Sequence, residues 1–229
     1  MNPQEYFLVS ERWRDVHPGA HVGVLVVLGA ANPVEHAALE SRRGELEELL
    51  RSRFAGMDRG ALLMRPALAA YRDYYRRFSK TYHVQLQLES ILLKGRHIPS
   101  GLALVQAMFM AELETLLLTA GHDLDSVRLP LTLDAPEGSE TYTLLRGAPQ
   151  VAKAGDMMIS DQEGIISTIV YGPDDRTQIR SQSRNVVFTT YAPPGIDSGA
   201  VQEHLRKLNE NVQVFAPDAR VDLQQVYGE

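Results

Sequence analysis

The sequence changes character at Gly121, and this change restricts the fold more than any other feature. Before it, apolar residues recur at helical spacing in long segments; after it, short β-prone segments alternate with Gly, Pro, Asn and Asp. Helices that come first and strands that come later predict an α+β fold. With no linker-like segment between the two halves, we expect one domain over residues 1–229, with N-terminal strands and helices followed by a mainly antiparallel β region and a C-terminal helix.

The first half contains two predicted strands and four predicted helices. Asn32 and Pro33 favour a helix start, because Asn is a good cap and Pro suits the first helical position. Gly95 is a natural helix stop, and the last of these helices is the most apolar and should be central. The predicted strands are Tyr6–Val9 and Val22–Leu28, and the predicted helices are 34–54, 66–75, 84–93 and 102–118.

The second half is predicted to be a sheet followed by a peripheral helix. The predicted strands are 129–133, 141–145, 157–160, 165–171, 177–179 and 185–191. Asp161–Gly164 is most economically a hairpin turn. Residues 195–229 are expected to form a peripheral helix over 198–209 and then a polar tail.

Composition excludes several classes of protein. There are no cysteines, which excludes disulfide scaffolds, thiolate metal sites and a cysteine nucleophile. The formal net charge of −6 disfavours a strongly basic nucleic-acid binder. Dinucleotide, phosphate-loop and hydrolase-elbow motifs are missing from the sequence. No apolar run is long enough for a membrane helix and the first residues do not resemble a signal peptide, so the expected location is cytoplasmic, without a membrane partner. No cofactor and no metal are expected either.

Two clusters could carry chemistry. The segment Gly121–Asp125 places His122 beside two carboxylates, which could bind a metal or perform acid–base catalysis. On spacing alone, a helix end closed by Gly121 is favoured. The second cluster, Arg72, Arg76, Arg77 and Lys80 among aromatic residues, has the residue types that contact phosphates and bases. An amphipathic helix with an aromatic core face explains that pattern without any nucleic acid and is favoured.

An ordered set of segments resembles the B3/B4 domain of the phenylalanyl-tRNA synthetase β subunit, and more closely the stand-alone B3/B4 proteins. The resemblance is strongest over residues 71–194. The segments that carry it are Tyr71-Arg72 with Phe78 and Lys80, Glu89–Gly95 with Ile98-Pro99, Gly121–Asp125, Gly138–Tyr142, Gly155–Asp161, Thr177–Ile179 and Ser183–Phe188.

The resemblance implies a site and a reaction. In the synthetase this domain hydrolyses the ester of tRNA misacylated with tyrosine, so the implied partners are tRNA or aminoacyl-tRNA and an amino acid. It implies His122 as the catalytic residue, acting without cofactor or metal. The implied substrate-pocket residues are Asp161, Ile169, Tyr171 and Thr177, and the implied tRNA-binding residues are Arg72, Arg76 and Lys80.

The chain departs from the family at two places. Residues 105–110 lack the Asp and Asn that the family commonly has there, and Ile169, Val170 and Tyr171 replace small residues on the pocket floor. A filled floor would reject a tyrosine side chain by volume. Three hypotheses follow: hydrolysis of misacylated tRNA in trans, non-catalytic binding of an amino acid or similar small molecule, or an interaction protein in which the floor residues close the pocket.

Overall fold

The computed structural model describes residues 2–228 and confirms the α+β fold. Its helices are α1 (Pro3–Tyr6), α2 (Glu11–Val16), α3 (Ala37–Arg53), α4 (Arg59–Leu63), α5 (Pro66–Arg76), α6 (His83–Lys94), α7 (Ala103–Thr115) and α8 (Ser198–Phe215). Its strands are β1 (Phe7–Val9), β2 (His21–Leu28), β3 (Leu118–Asp123), β4 (Leu131–Asp134), β5 (Thr141–Thr143), β6 (Pro149–Val151), β7 (Met158–Asp161), β8 (Gly164–Thr168), β9 (Gly172–Pro173), β10 (Val186–Ala192) and β11 (Arg220–Gly228).

Two sheets organise the chain. The first has the order β1-β4-β7-β8-β9 and is antiparallel except for the parallel β1–β4 pair. The second has the order β11-β2-β10-β3 and is antiparallel throughout. The two predicted N-terminal strands therefore belong to different sheets. A small pair, β5–β6, stands beside them.

The core lies around β10 and α7. All seven residues of β10 are buried, because sheet partners flank the strand on both sides and packed layers cover its faces. The Tyr191 hydroxyl on β10 lies 2.5 Å from the Ser167 hydroxyl on β8, which joins the two sheets. Helix α7 packs on α8 and, as its apolar sequence predicts, is largely buried.

The start of α3 differs from the sequence prediction. The helix begins at Ala37, and its capping residue His36 makes no side-chain cap. Asn32 caps a different helix: its side-chain oxygen accepts from the Leu104 backbone N–H at 3.0 Å, and its amide donates to the Arg180 carbonyl at 2.8 Å. The prediction that Asn32 caps the helix directly after it is wrong.

The end of α7 also differs. The helix stops at Thr115 because Leu116 adopts a left-handed conformation with φ of 67°. Gly121 therefore does not close a helix; it lies inside β3. Asp123, two residues further on, does cap a turn, because the Asp123 side chain accepts a hydrogen bond from the Asp125 backbone N–H. Gly95, by contrast, ends α6 in a left-handed conformation as predicted.

The prediction of a peripheral helix and polar tail after residue 195 is wrong. Helix α8 runs further than expected and buries Val201, Leu205 and Leu208 against the core. Residues 220–228 form β11, an edge strand paired with β2. An edge strand keeps one side toward solvent and can therefore be polar, so the polar composition of this segment did not indicate a strand. In the described part of the chain, no helix has the length and apolarity that crossing a membrane requires.

Candidate functional site

A cavity of about 250 Å³ lies beside β3, the edge strand of the second sheet. Helix α7 forms one wall through Val105, Met108, Phe109 and Glu112, and β3 forms another. Ile169, between β8 and β9, contributes from the first sheet. Apart from a few polar groups the lining is apolar, so the site suits an apolar group with limited polar anchoring.

Glu112 is the acidic group of this cavity. The residue is 1% exposed, and its Oε1 accepts the Thr119 backbone N–H at 2.8 Å. Its Oε2 is buried without a hydrogen-bond partner among residues 2–228. Burial raises the pKa of this carboxyl to about 8, against the single opposing hydrogen bond from Thr119. Glu112 is therefore mainly protonated at neutral pH.

A buried histidine holds the Thr119 side chain that also lines the cavity. Thr119 Oγ1 lies 2.6 Å from His204 Nε2, and Thr115 Oγ1 lies 2.6 Å from His204 Nδ1. Because the Thr115 hydroxyl donates to the Ala111 carbonyl, it accepts from Nδ1–H, and Nε2 accepts from Thr119. Burial lowers the pKa of His204 to about 3, so this tautomer is neutral and fixed.

A basic cleft lies next to the cavity. Its wall contains the three predicted tRNA-binding residues together with a fourth cation: Arg59, Arg72, Arg76 and Lys80. The segment 80–85 is shared, because Lys80, Thr81, Tyr82 and Gln85 line the cleft while His83 lines the cavity. His83 and Leu145, both cavity residues, are exposed, so the cavity reaches solvent there.

The cleft keeps unpaired positive charge. Arg59 pairs with Glu89 at 3.0 Å and Arg72 with Asp73 at 3.1 Å. Within residues 2–228, no carboxylate forms an ion pair with Arg76 or Lys80. The Lys80 ammonium lies 5.4 Å from the centroid of the Tyr171 ring. This surface is locally basic although the chain as a whole is acidic.

The aromatic residues of α5 occupy the face that the amphipathic interpretation predicts. Tyr71, Tyr74 and Tyr75 are buried, whereas Arg72 is half-buried and Arg76 is exposed. The Tyr75 hydroxyl donates to the Ile169 carbonyl at 2.6 Å, which ties α5 to the cavity wall. Helix α5 thus packs its tyrosines into the core and contributes Arg72 and Arg76 to the wall of the cleft.

His122 lies in β3 directly behind the cavity wall. It is fully buried and does not line the cavity, although its neighbour Gly121 does. Its Nδ1 lies 2.7 Å from Thr177 Oγ1, whose hydroxyl donates to Asp174. Nδ1 therefore carries the proton, and Nε2 is left without a partner among the described residues. Burial, with the nearby Arg176 guanidinium, lowers the pKa of His122 to about 3.

Asp161 belongs to the same buried network. It accepts from the Arg176 guanidinium and the Arg128 backbone N–H at 2.8 and 2.9 Å. Arg176 also approaches Asp174 at 3.8 Å, which links Asp161 to Thr177. The structure thus brings three of the predicted residues, His122, Asp161 and Thr177, into one network, but that network lies outside the cavity lining.

The predicted floor residues have separate positions. Ile169 is 1% exposed and lines the cavity. Val170 donates its backbone N–H to Asp156 at 3.1 Å, and Tyr171 lies beneath Lys80. The expectation that these three side chains close the pocket is not met, because the cavity persists and only one of them lines it.

Sequence reasoning missed Glu112 and Thr119, two of the residues that give the cavity its polar character. A signal existed for Glu112, since it is one of two charges in the most apolar helix and a buried charge requires an explanation. Across residues 2–228, no cluster of three or more His, Asp or Glu side chains could hold a metal ion.

Comparison with known proteins gives a structural likeness but no sequence relative. No protein-family model and no curated protein sequence matches the chain. Among solved structures it is similar to an N-terminal fragment of the phenylalanyl-tRNA synthetase β subunit from Pyrococcus horikoshii, with a TM-score of 0.52 and 11% identity. The match covers 98% of this chain and 54% of that chain, so this chain spans about half the length of the fragment. At this identity the likeness concerns the fold.

Proposed function

We propose that this protein binds the aminoacylated 3′ end of a tRNA, with the aminoacyl group in the cavity and tRNA phosphates in the basic cleft. One observation carries the proposal: residues 80–85 line the cleft on one side and, through His83, the cavity on the other. A ligand that joins an apolar group to a phosphate chain matches this arrangement.

The size and lining of the cavity support the aminoacyl part. An apolar cavity of about 150 Å³ can hold a benzene-sized molecule, and this one measures about 250 Å³. It therefore has room for an apolar amino-acid side chain with its amino and carbonyl groups. The likeness of the fold to a tRNA synthetase fragment agrees with a tRNA-related role.

The unpaired cations support the phosphate part. Arg76 and Lys80 can release counterions from a nucleic-acid backbone without first breaking an ion pair of their own. The net charge of −6 opposes association elsewhere on the surface. We therefore expect weak binding that is strongly salt-dependent and restricted to this face.

The test compares aminoacylated with deacylated tRNA across a salt series. Wild type should bind charged tRNA more tightly than uncharged tRNA, and the double variant Arg76→Ala/Lys80→Ala should weaken both and reduce the salt slope by about 1 for each lost phosphate contact. Arg206→Ala, an exposed change on α8 outside both sites, is the control. Equal binding of charged and uncharged tRNA, or an effect of the control as large as that of the double variant, would refute the proposal.

Hydrolysis of a misacylated tRNA in trans is a second candidate, favoured by the Asp174–Thr177–His122 chain. An imidazole held in one tautomer by a third group is the arrangement that activates a nucleophile or water. Because His122 is fully buried and does not line the cavity, its Nε2 could meet a substrate only after the residues around it rearrange.

Deacylation of a panel of correctly and incorrectly charged tRNAs tests this second candidate. Selective hydrolysis by wild type that His122→Ala abolishes, with cooperative unfolding retained, would support it. No hydrolysis across the panel, together with selective binding of charged tRNA, would leave binding without turnover as the function.

A further inference from the structure

We propose that Glu112 recognises an amino group of the ligand, so that the cavity selects primary amines over isosteric molecules that lack the amine. The inference rests on the proposed function and deepens it, because an aminoacyl ester carries one amino group beside its side chain. The observation behind it is the unpartnered Oε2 of a buried carboxyl in the cavity wall.

An unpartnered oxygen of this kind is costly to the protein. A buried polar group with no hydrogen bond has lost its contacts with water and gained nothing in return, which destabilises the fold. Helix α7 is otherwise apolar where it meets the cavity, and a leucine or methionine at 112 would avoid the cost. Thr119 satisfies only Oε1, so Oε2 stays without a hydrogen bond in a residue that lines the cavity.

The surroundings favour an amine over other hydrogen-bonding groups. The cavity lining contains no lysine or arginine, so no cation of this chain competes for the carboxyl from the wall. A carboxylate in an apolar wall is stable when a cation with N–H donors pairs with it. An ammonium group supplies both the charge and the donors, whereas a hydroxyl supplies one donor and no charge.

Proton balance makes the inference testable. In the free protein Glu112 carries a proton, since burial raises its pKa to about 8. At pH 6 to 7 the ligand is already an ammonium ion, so formation of the ion pair sends the carboxyl proton to solvent and affinity should rise with pH. Near pH 8 an α-amino group is itself about half neutral; the neutral amine takes the carboxyl proton directly, so the rise should level off there. The other titratable groups near this carboxyl are His83, Tyr71, Tyr75, Tyr82, Tyr191 and, through Thr119, His204.

The experiment measures binding of L-phenylalaninamide and of 3-phenylpropanamide, which differ only in the amino group, to the full chain by calorimetry at pH 6, 7 and 8. Wild type should prefer the amine at least tenfold at pH 8, and the preference should grow with pH. The isosteric variant Glu112→Gln should lose the preference and its pH dependence, and this comparison subtracts any contribution from His83. Glu114→Gln, on the same helix but outside the cavity, is the matched control.

Three results would overturn the inference: equal affinities in wild type, an unchanged preference in Glu112→Gln, or binding of neither amide. The tRNA assay keeps this failure separate from failure of the proposed function. If Glu112→Gln still distinguishes charged from uncharged tRNA as wild type does, the amine assignment fails while tRNA-end recognition stands. If wild type does not distinguish them but prefers the amine, the cavity binds a free amine and the tRNA proposal fails.

Discussion

Replacing Glu112 by Gln should change how the stability of the protein depends on pH. The carboxyl is buried, and its pKa is raised from an ordinary value of 4.5 to about 8. The folded state therefore holds a proton that the unfolded state releases between these two values. Stability from this group is present at low pH and is lost as the pH rises toward 8. Glutamine keeps an oxygen for the Thr119 N–H but cannot ionise.

The size of the effect follows from the two pKa values. Each unit of pKa difference corresponds to about 1.4 kcal/mol, so the wild-type free energy of unfolding should fall by about 4 kcal/mol between pH 5 and pH 9 relative to that of Glu112→Gln. Near pH 5 the variant should be about 1 kcal/mol less stable, because its amide N–H groups meet no acceptor. The two stability curves should therefore cross.

Urea unfolding at pH 5, 6, 7, 8 and 9 measures these curves directly. For a chain of this size a difference of about 4 kcal/mol corresponds to a shift of roughly 8–16 °C in melting temperature, which thermal unfolding can verify. Glu114→Gln on the same helix reports the effect of removing a nearby carboxylate that pairs with Lys207. Parallel curves for wild type and Glu112→Gln would refute the reasoning, because they would mean that Glu112 ionises normally.

Two further stability predictions concern close packing and capping. Gly23→Ala should lower the free energy of unfolding by about 1–3 kcal/mol through overpacking, because the added Cβ would lie 2.7 Å from Val201 on α8. Gly44→Ala, at an exposed position of α3 with open space around it, should instead raise the free energy of unfolding by up to about 1 kcal/mol. Chemical unfolding of the two variants should therefore show changes of opposite sign. Asn32→Ala should cost about 1–2 kcal/mol because the Leu104 N–H loses its acceptor; an unchanged unfolding midpoint would contradict that role.

Sequence patterns correctly predict the elements that depend only on residues close together in the chain. The stop of α6 at Gly95 follows from the conformational freedom of glycine, and the hairpin at Asp161–Gly164 follows from turn chemistry between two apolar strands. The buried tyrosines of α5 follow from helical periodicity. The α+β class follows from the order of these elements.

Features that depend on distant partners could not be predicted in this way. Asn32 has the chemistry of a cap, but the helix it caps begins about seventy residues later in the chain. Gly121 looks like a helix stop until its strand partner Phe188 is known. The family resemblance implied a catalytic role for His122. Whether its ring reaches the cavity depends on how residues distant in the chain pack between the ring and the cavity, and no local sequence pattern contains that information.

The pairing of β2 has a consequence for synthesis of the protein. Residues 22–27 are entirely buried in the finished fold, but their strand partners are β10 and β11. At about 5–20 residues per second, a ribosome needs roughly 10–40 s to add the residues between β2 and β11. For most of that time, until β10 has been made, the nascent chain presents an apolar strand without either of its partners. We expect this segment to be a site of chaperone contact, and the cavity beside β3 to form only after β10 has been made.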